Sequence, residues 1–194
     1  MSKILLINLL LSIVLKVQAQ FIDTNFPKDI PQIFAGGTVS NGLANRDMAI
    51  SPDWNEIYYT LQHNNGQLST ILFSKKVNGK WTLPEIVSFS GKYNDLEPAF
   101  SSDGTRLYFS SNRPLKEGGE TKDYDIWFVT NTKTGWSEPQ NMGEPINSSK
   151  DEFYPSVAKS GNMYLTREVE GAKEDIVVCN YVNGKYQEAV RLSD

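Results

Sequence analysis

Apolar residues in this chain fall in short runs bounded by turn residues, with no helical spacing between them. The clearest case spans Glu97 to Arg113. Ala99 to Ser101 reads as a strand, Ser102-Asp103-Gly104 as a tight turn, and Arg106 to Ser110, with Leu107, Tyr108 and Phe109, as a second strand. Asp-Gly suits such a turn because glycine tolerates positive φ and aspartate bonds its own backbone. The pattern therefore predicts a β-hairpin. The same hairpin recurs before it, where Asp53 stands at the turn and Ile57-Tyr58-Tyr59 follow, and after it, where Ser160-Gly161 is followed by Met163-Tyr164-Leu165.

Each copy continues in the same order. Ser69 to Lys75, Tyr124 to Thr130 and Glu174 to Asn180 are rich in β-branched and aromatic residues and predict a third strand. A turn and an aromatic come next, ending at Trp81, Trp136 and Tyr186, and open a fourth strand with Pro84 and Pro139 near its start. A proline there suits an edge strand, which can forgo a ladder bond. Four antiparallel strands repeating at a period of about fifty residues predict an all-β fold, a β-propeller of four-stranded antiparallel blades. A β-sandwich is the competing fold, but it does not require the same turn, strand and aromatic to return in the same order. About three blades are present, over approximately 46–94, 95–145 and 152–194. A closed ring needs from about four to eight. The chain thus reads as a partial or truncated propeller whose ring further blades, or a homodimer if the chain is complete, would close.

Residues 1–19 read as a signal peptide, with Lys3 before the apolar run Ile4 to Leu15 and Ala19 at a cleavable end. The run is shorter than the roughly twenty residues that span a bilayer. No membrane span is expected after cleavage, and the domain is expected to occupy 20–194 in the periplasm or outside the cell. Residues 31–40, with Pro31-Gln32-Ile33-Phe34, resemble the fourth strands and read as an orphan outer strand. Pro114 to Lys122 is an insertion predicted as a solvated loop. The formal charge of −4 becomes more negative once Lys3 and Lys16 are removed, which argues against nucleic acid as a partner. The single cysteine, Cys179, excludes an intrachain disulfide and reads as a core residue.

Pro98-Ala99-Phe100-Ser101-Ser102-Asp103-Gly104, then Leu107 to Arg113, then Tyr124-Asp125-Ile126-Trp127, resembles the WD40-like propeller repeat of the TolB type. The resemblance covers nearly all of the chain after residue 19 and is most specific in the second repeat. It implies an extracytoplasmic propeller, typically six-bladed, of a kind that often binds other envelope proteins; some related propellers act on glycans.

Polar and acidic residues precede each first strand: Asn45 and Asp47, Asp95 and Glu97, Asp151 and Glu152. First strands line a propeller's channel, so these side chains are candidates for a ring at one channel mouth that receives a cation or a basic peptide. Acceptance of backbone amides between blades is the alternative role. Arg113 and Arg167 end second strands and are candidates for the same opening, where a guanidinium fork matches a carboxylate. Catalytic signals are poor: His63 is the only histidine, and no nucleophile triad, phosphate loop or Cys/His metal cluster is present. No cofactor and no metal are expected. Trp81, Trp136 and Tyr186 are expected to pack between blades, and Trp54, at a turn position held elsewhere by Gly104, is a candidate contact. The expectation is a noncatalytic binding module for an envelope protein or peptide. A glycan-binding or glycan-processing propeller is one alternative and an envelope scaffold another.

Overall fold

A computed structural model describes residues 31–169 and 173–192; the expected signal peptide lies outside them. The first blade contains β1 (Asn45–Ile50), β2 (Glu56–His63), β3 (Leu68–Val77), β4 (Lys80–Trp81) and β5 (Glu85–Ile86). The second contains β6 (Asp95–Phe100), β7 (Arg106–Ser111), β8 (Asp125–Thr132), β9 (Gly135–Trp136) and β10 (Gln140–Asn141). The third contains β11 (Glu152–Val157), β12 (Met163–Val169), β13 (Lys173–Cys179), β14 (Tyr181–Val182), β15 (Lys185–Tyr186) and β16 (Val190–Arg191). All pairing between these strands is antiparallel, and the fold is all-β, built of propeller blades.

The hairpin turns form for the reasons the sequence gives. In the second blade the Asp103 carboxylate accepts from the Thr105 amide at 3.0 Å and from the Ser101 hydroxyl at 2.6 Å. The Ser101 hydroxyl oxygen in turn accepts from the Arg106 amide at 2.9 Å. Ser51 and Asp53 repeat this network in the first blade. These bonds hold the Asp103 carboxyl down at about 2, the Ser101 hydroxyl contributing most.

The outer strand differs from its expected form. It comes in two pieces, one carrying the aromatic (β4, β9, β15) and one pairing the middle of the third strand (β5, β10, β16). Pro84 and Pro139 sit in the break, where no amide is available for the ladder. The Thr82 and Ser137 hydroxyls close the gap by accepting from the Lys75 and Thr130 amides at 3.1 and 3.0 Å.

Residues 31–40 form no strand. They make turns around a bridge between Gly36 and Ser40 and place Ala35 and Val39 against Ile57, Tyr59, Leu72 and Trp81. The apolar pattern of this segment is spent on covering one face of the first blade. The insertion loop is exposed from Leu115 to Glu120, as expected.

The core lies between blades. Tyr58 and Ile71 of the first blade pack with Leu107, Phe109, Trp127 and Val129 of the second. Tyr108 and Ile126 of the second pack with Met163, Leu165, Val177 and Cys179 of the third. Burial on both faces explains why Leu107-Tyr108-Phe109 of β7 run on without clean alternation.

Candidate functional site

The first strands β1, β6 and β11 form the inner edge of the blades, with β6 between the other two. Among the described residues, each pairs only its own second strand. Each also breaks register at the same place: between Arg46 and Ala49, Leu96 and Ala99, Phe153 and Ser156. The residues at these three bulges, Asp47, Glu97 and Tyr154, hold φ of 56°, 59° and 52°. None is glycine, so each stands in a region that L-residues ordinarily avoid. A bulge re-aims its side chain away from the regular face of the sheet.

The re-aimed side chains meet. The Arg46 guanidinium pairs with Asp47, approaches Glu97 Oε1 at 3.4 Å and donates to the Tyr154 hydroxyl. It lies 5.8 Å from the centre of the Tyr154 ring. Glu97 Oε2 accepts from the Tyr154 amide at 2.7 Å and the Ser110 hydroxyl at 3.0 Å, while the Glu97 amide donates to Thr60 Oγ1 at 2.9 Å. One cluster thus joins all three blades. Glu97 is only 4% exposed, and burial pushes its carboxyl up to about 7 against the pull of those donors. Burial also raises Asp47. Tyr154, by contrast, is 48% exposed, so the cluster is reached from solvent over its ring.

The other sequence candidates serve the links between blades. Asp95 is buried and takes Arg113 at 2.6 Å, the Ser111 hydroxyl at 2.7 Å and the Ser90 hydroxyl at 2.8 Å. Arg113 also donates to the Phe89 carbonyl and lies over the Phe109 and Trp127 rings. Glu152 and Arg167 repeat the pair at 2.9 Å, and Arg167 donates to the Pro145 and Ile146 carbonyls. Both arginines therefore clasp the linker that precedes their own blade and do not face an opening. Asp151 accepts the Tyr124 amide at 2.8 Å, as Asn94 accepts the Ser69 amide at 2.9 Å. Asn45 binds Asn41 and the Val39 carbonyl, holding the turn segment that covers the first blade. Of the eight candidates, the structure brings only Asp47 and Glu97 together in the inner cluster.

Arg46 and Tyr154 are the partners that the sequence reading missed. Grouping Glu152 with Glu97 by residue type hid Tyr154. Counting back from the hairpin turn, four residues from Ser101 or Ala158, places Tyr154 opposite Glu97. For Arg46 the neighbouring Asp47 does not give the cluster away, because its partners in the other two blades lie 51 and 108 residues away.

Trp136 and Tyr186 do pack between blades. Trp136 Nε1 donates to the Tyr58 hydroxyl of the first blade at 2.9 Å, and Tyr186 packs against the cluster that holds Tyr108. Beside Trp136 a cavity of about 350 Å³ opens between the first two blades, lined by Tyr58, Phe73, Trp136, Glu56, Lys75 and Glu85 among others. Among the described residues, no group of three or more His, Cys, Asp or Glu is placed to hold a metal ion. None of their helices is long and apolar enough to cross a membrane.

No family model matches the sequence, and no curated protein matches it. Solved structures do. A TolB structure from Agrobacterium tumefaciens is 18% identical, with a TM-score of 0.54 over 77% of this chain and 50% of that one. A puromycin-hydrolyzing peptidase from Mycobacterium tuberculosis is 14% identical, with a TM-score of 0.52 over 74% of this chain and 21% of that one. TolB from Acinetobacter baumannii is 18% identical, with a TM-score of 0.48 over 75% of this chain and 32% of that one. The chain spans half the length of the Agrobacterium protein and less of the other two. A TolB protein and a peptidase share the blade architecture, so the likeness speaks to fold. On the repeated blades and the match to the Agrobacterium structure, this chain has the fold of a TolB-type β-propeller.

Proposed function

We propose that this chain is a noncatalytic, extracytoplasmic binding module that takes up a polypeptide segment bearing a basic side chain at the inner edge of its blades. The observation that carries this reading is the convergence of Asp47, Glu97 and Tyr154, each held at positive φ on a bulge, around Arg46. Backbone strain kept at the same place in three repeats is a reason to look for function there. Two carboxyl groups face one guanidinium, and the Arg46 guanidinium beside the Tyr154 ring is, within the chain, the kind of contact an incoming basic side chain would make. The inner strands also keep one edge unpaired by other strands, which suits an extended peptide. Location in the periplasm or outside the cell rests on the apolar leader in residues 1–19 and on the fold's likeness to TolB proteins.

Synthetic peptides of equal length and graded charge, titrated by fluorescence anisotropy, test this. Basic peptides are expected to bind, and Asp47→Asn or Tyr154→Ala to weaken them by roughly tenfold, as loss of a charge-assisted contact does. Binding that ignores peptide charge, or survives both substitutions, would overturn the reading.

One observation favours a second reading, a glycan ligand. The cavity beside Trp136 offers aromatic faces together with the carboxylates of Glu56 and Glu85. Sugar binding or turnover lost in Trp136→Ala and untouched in Asp47→Asn would support it.

A further inference from the structure

The first and second blades present the same four positions to the blade that follows. In the second blade they hold Arg106 opposite Thr130 and Tyr108 opposite Phe128. In the first blade they hold Glu56 opposite Lys75 and Tyr58 opposite Phe73. The aromatic pair is common to both, with ring centres 6.1 Å apart for Tyr108 and Phe128 and 5.7 Å apart for Tyr58 and Phe73. The following blade adds Tyr186 to the second gap and Trp136 to the first.

The charges differ. In the second gap the chain supplies its own cation: the Arg106 guanidinium lies 4.8 Å from the centre of the Phe128 ring. In the first gap that position is an acid, Glu56, and the cavity of about 350 Å³ opens beside Phe73, Tyr58 and Trp136. Glu85 of β5 brings a second carboxylate to its lining, and it is in no ion pair with another described residue. Against these two acids stands Lys75, which pairs with Glu56 Oε1 at 3.0 Å and lies 5.5 Å from the Phe73 ring centre. The gap thus has the aromatic faces of its neighbour, an excess of carboxylate, and room for a small molecule.

From this comparison of the two gaps we infer that the cavity between the first and second blades binds a guanidinium group, stacked on Phe73 as Arg106 is on Phe128, with its N–H groups donating to Glu56 and Glu85. A guanidinium suits the place because it donates within its plane while its face lies on a ring, so one group meets both the carboxylates and the aromatic wall. Lys75 brings a like charge to the same carboxylate and opposes the ligand. The inference is independent of the peptide reading, since none of these residues belongs to the inner cluster.

Phenylguanidine is the probe, and phenylurea its neutral counterpart of the same shape. Both are titrated into the chain while the indole N–H signals of the four tryptophans are followed by nuclear magnetic resonance, because of the four only Trp136 lines the cavity. Phenylguanidine is expected to shift the Trp136 signal, and phenylurea to bind about tenfold more weakly, the effect of a lost charge-assisted contact. Glu56→Gln keeps an acceptor for the Tyr58 hydroxyl and is expected to weaken phenylguanidine about tenfold. Lys75→Met removes the opposing charge and is expected to tighten it about threefold, a gain that a disturbed fold would not produce. N-acetylarginine amide, titrated alongside, separates the two sources of the group: tighter binding than phenylguanidine assigns the cavity to a peptide's arginine, weaker binding to a free small molecule. Equal affinity for phenylguanidine and phenylurea would overturn the inference. So would a Trp136 signal that phenylguanidine leaves in place, or an affinity that neither substitution changes. A neutral sugar that binds there more tightly than phenylguanidine would overturn it in favour of the glycan reading.

Discussion

Glu97 concentrates the electrostatics of this molecule in one side chain. Its carboxyl is buried, takes two donors on Oε2, and is pushed up to about 7 from an ordinary value of 4.5, desolvation outweighing the Tyr154 amide and the Ser110 hydroxyl. The folded chain thus binds a proton more tightly than the unfolded chain between those two values. Stability from this group is complete below the unfolded value and is lost as pH rises through about 7. Unfolding free energy from urea titrations is therefore expected to fall between pH 5 and pH 8. Glu97→Gln keeps an acceptor for both donors, so it is expected to flatten that fall and to raise stability at pH 8 by about 2 to 3 kcal/mol. A variant that is less stable than wild type at pH 8 would show that the charged form is the one the fold prefers. Burial raises Asp47 and Glu152 in the same direction, so a shallower slope should persist in the variant. Asp103 runs the other way: depressed to about 2, it contributes stability that is lost only as pH falls toward that value.

The hairpin is the element through which the sequence is most legible. Its turn residues bond one another within five positions, so residue identity and spacing suffice to place it. One turn position differs between blades in an instructive way: Gly104 and Gly161 hold φ of 70° and 92°, and Trp54 holds 62° in the first blade. Gly104→Ala forces a Cβ into the left-handed region, 3.2 Å from Pro52 Cδ, and is expected to cost about 1 to 2 kcal/mol. Trp54→Gly removes the same penalty from an exposed residue and is expected to stabilise by up to about 1 kcal/mol. Thermal unfolding of the two variants side by side checks both signs. Between blades, the sequence is less informative. Tyr58→Phe removes the oxygen that accepts from Trp136 Nε1 and donates to Glu56 at 2.8 Å, and is expected to cost about 1 to 3 kcal/mol by stranding the indole N–H. The aromatic position was readable from the repeat, but the hydroxyl that receives it lies 78 residues away. Arg113 and Arg167 looked like binding groups for the same reason. Their linker carbonyls are invisible until the chain folds back, and acids and arginines at strand ends serve clasp and ligand site alike.

Among the described residues the blades form a stack in which only the middle one is covered on both faces by its neighbours. Leu107, Phe109 and Val129 of the second blade pack toward the first, while Tyr108 and Ile126 pack toward the third. In such an array each unit draws stability from its neighbours, so the middle unit opens last. Amides of β7 and β8 are thus expected to exchange with deuterium only through global unfolding. Those of β13, with Ile176 exposed, are expected to exchange sooner through local opening. Equal exchange in β8 and β13 at high dilution would mean that the blades unfold as one cooperative unit, and that the uncovered face costs the third blade nothing.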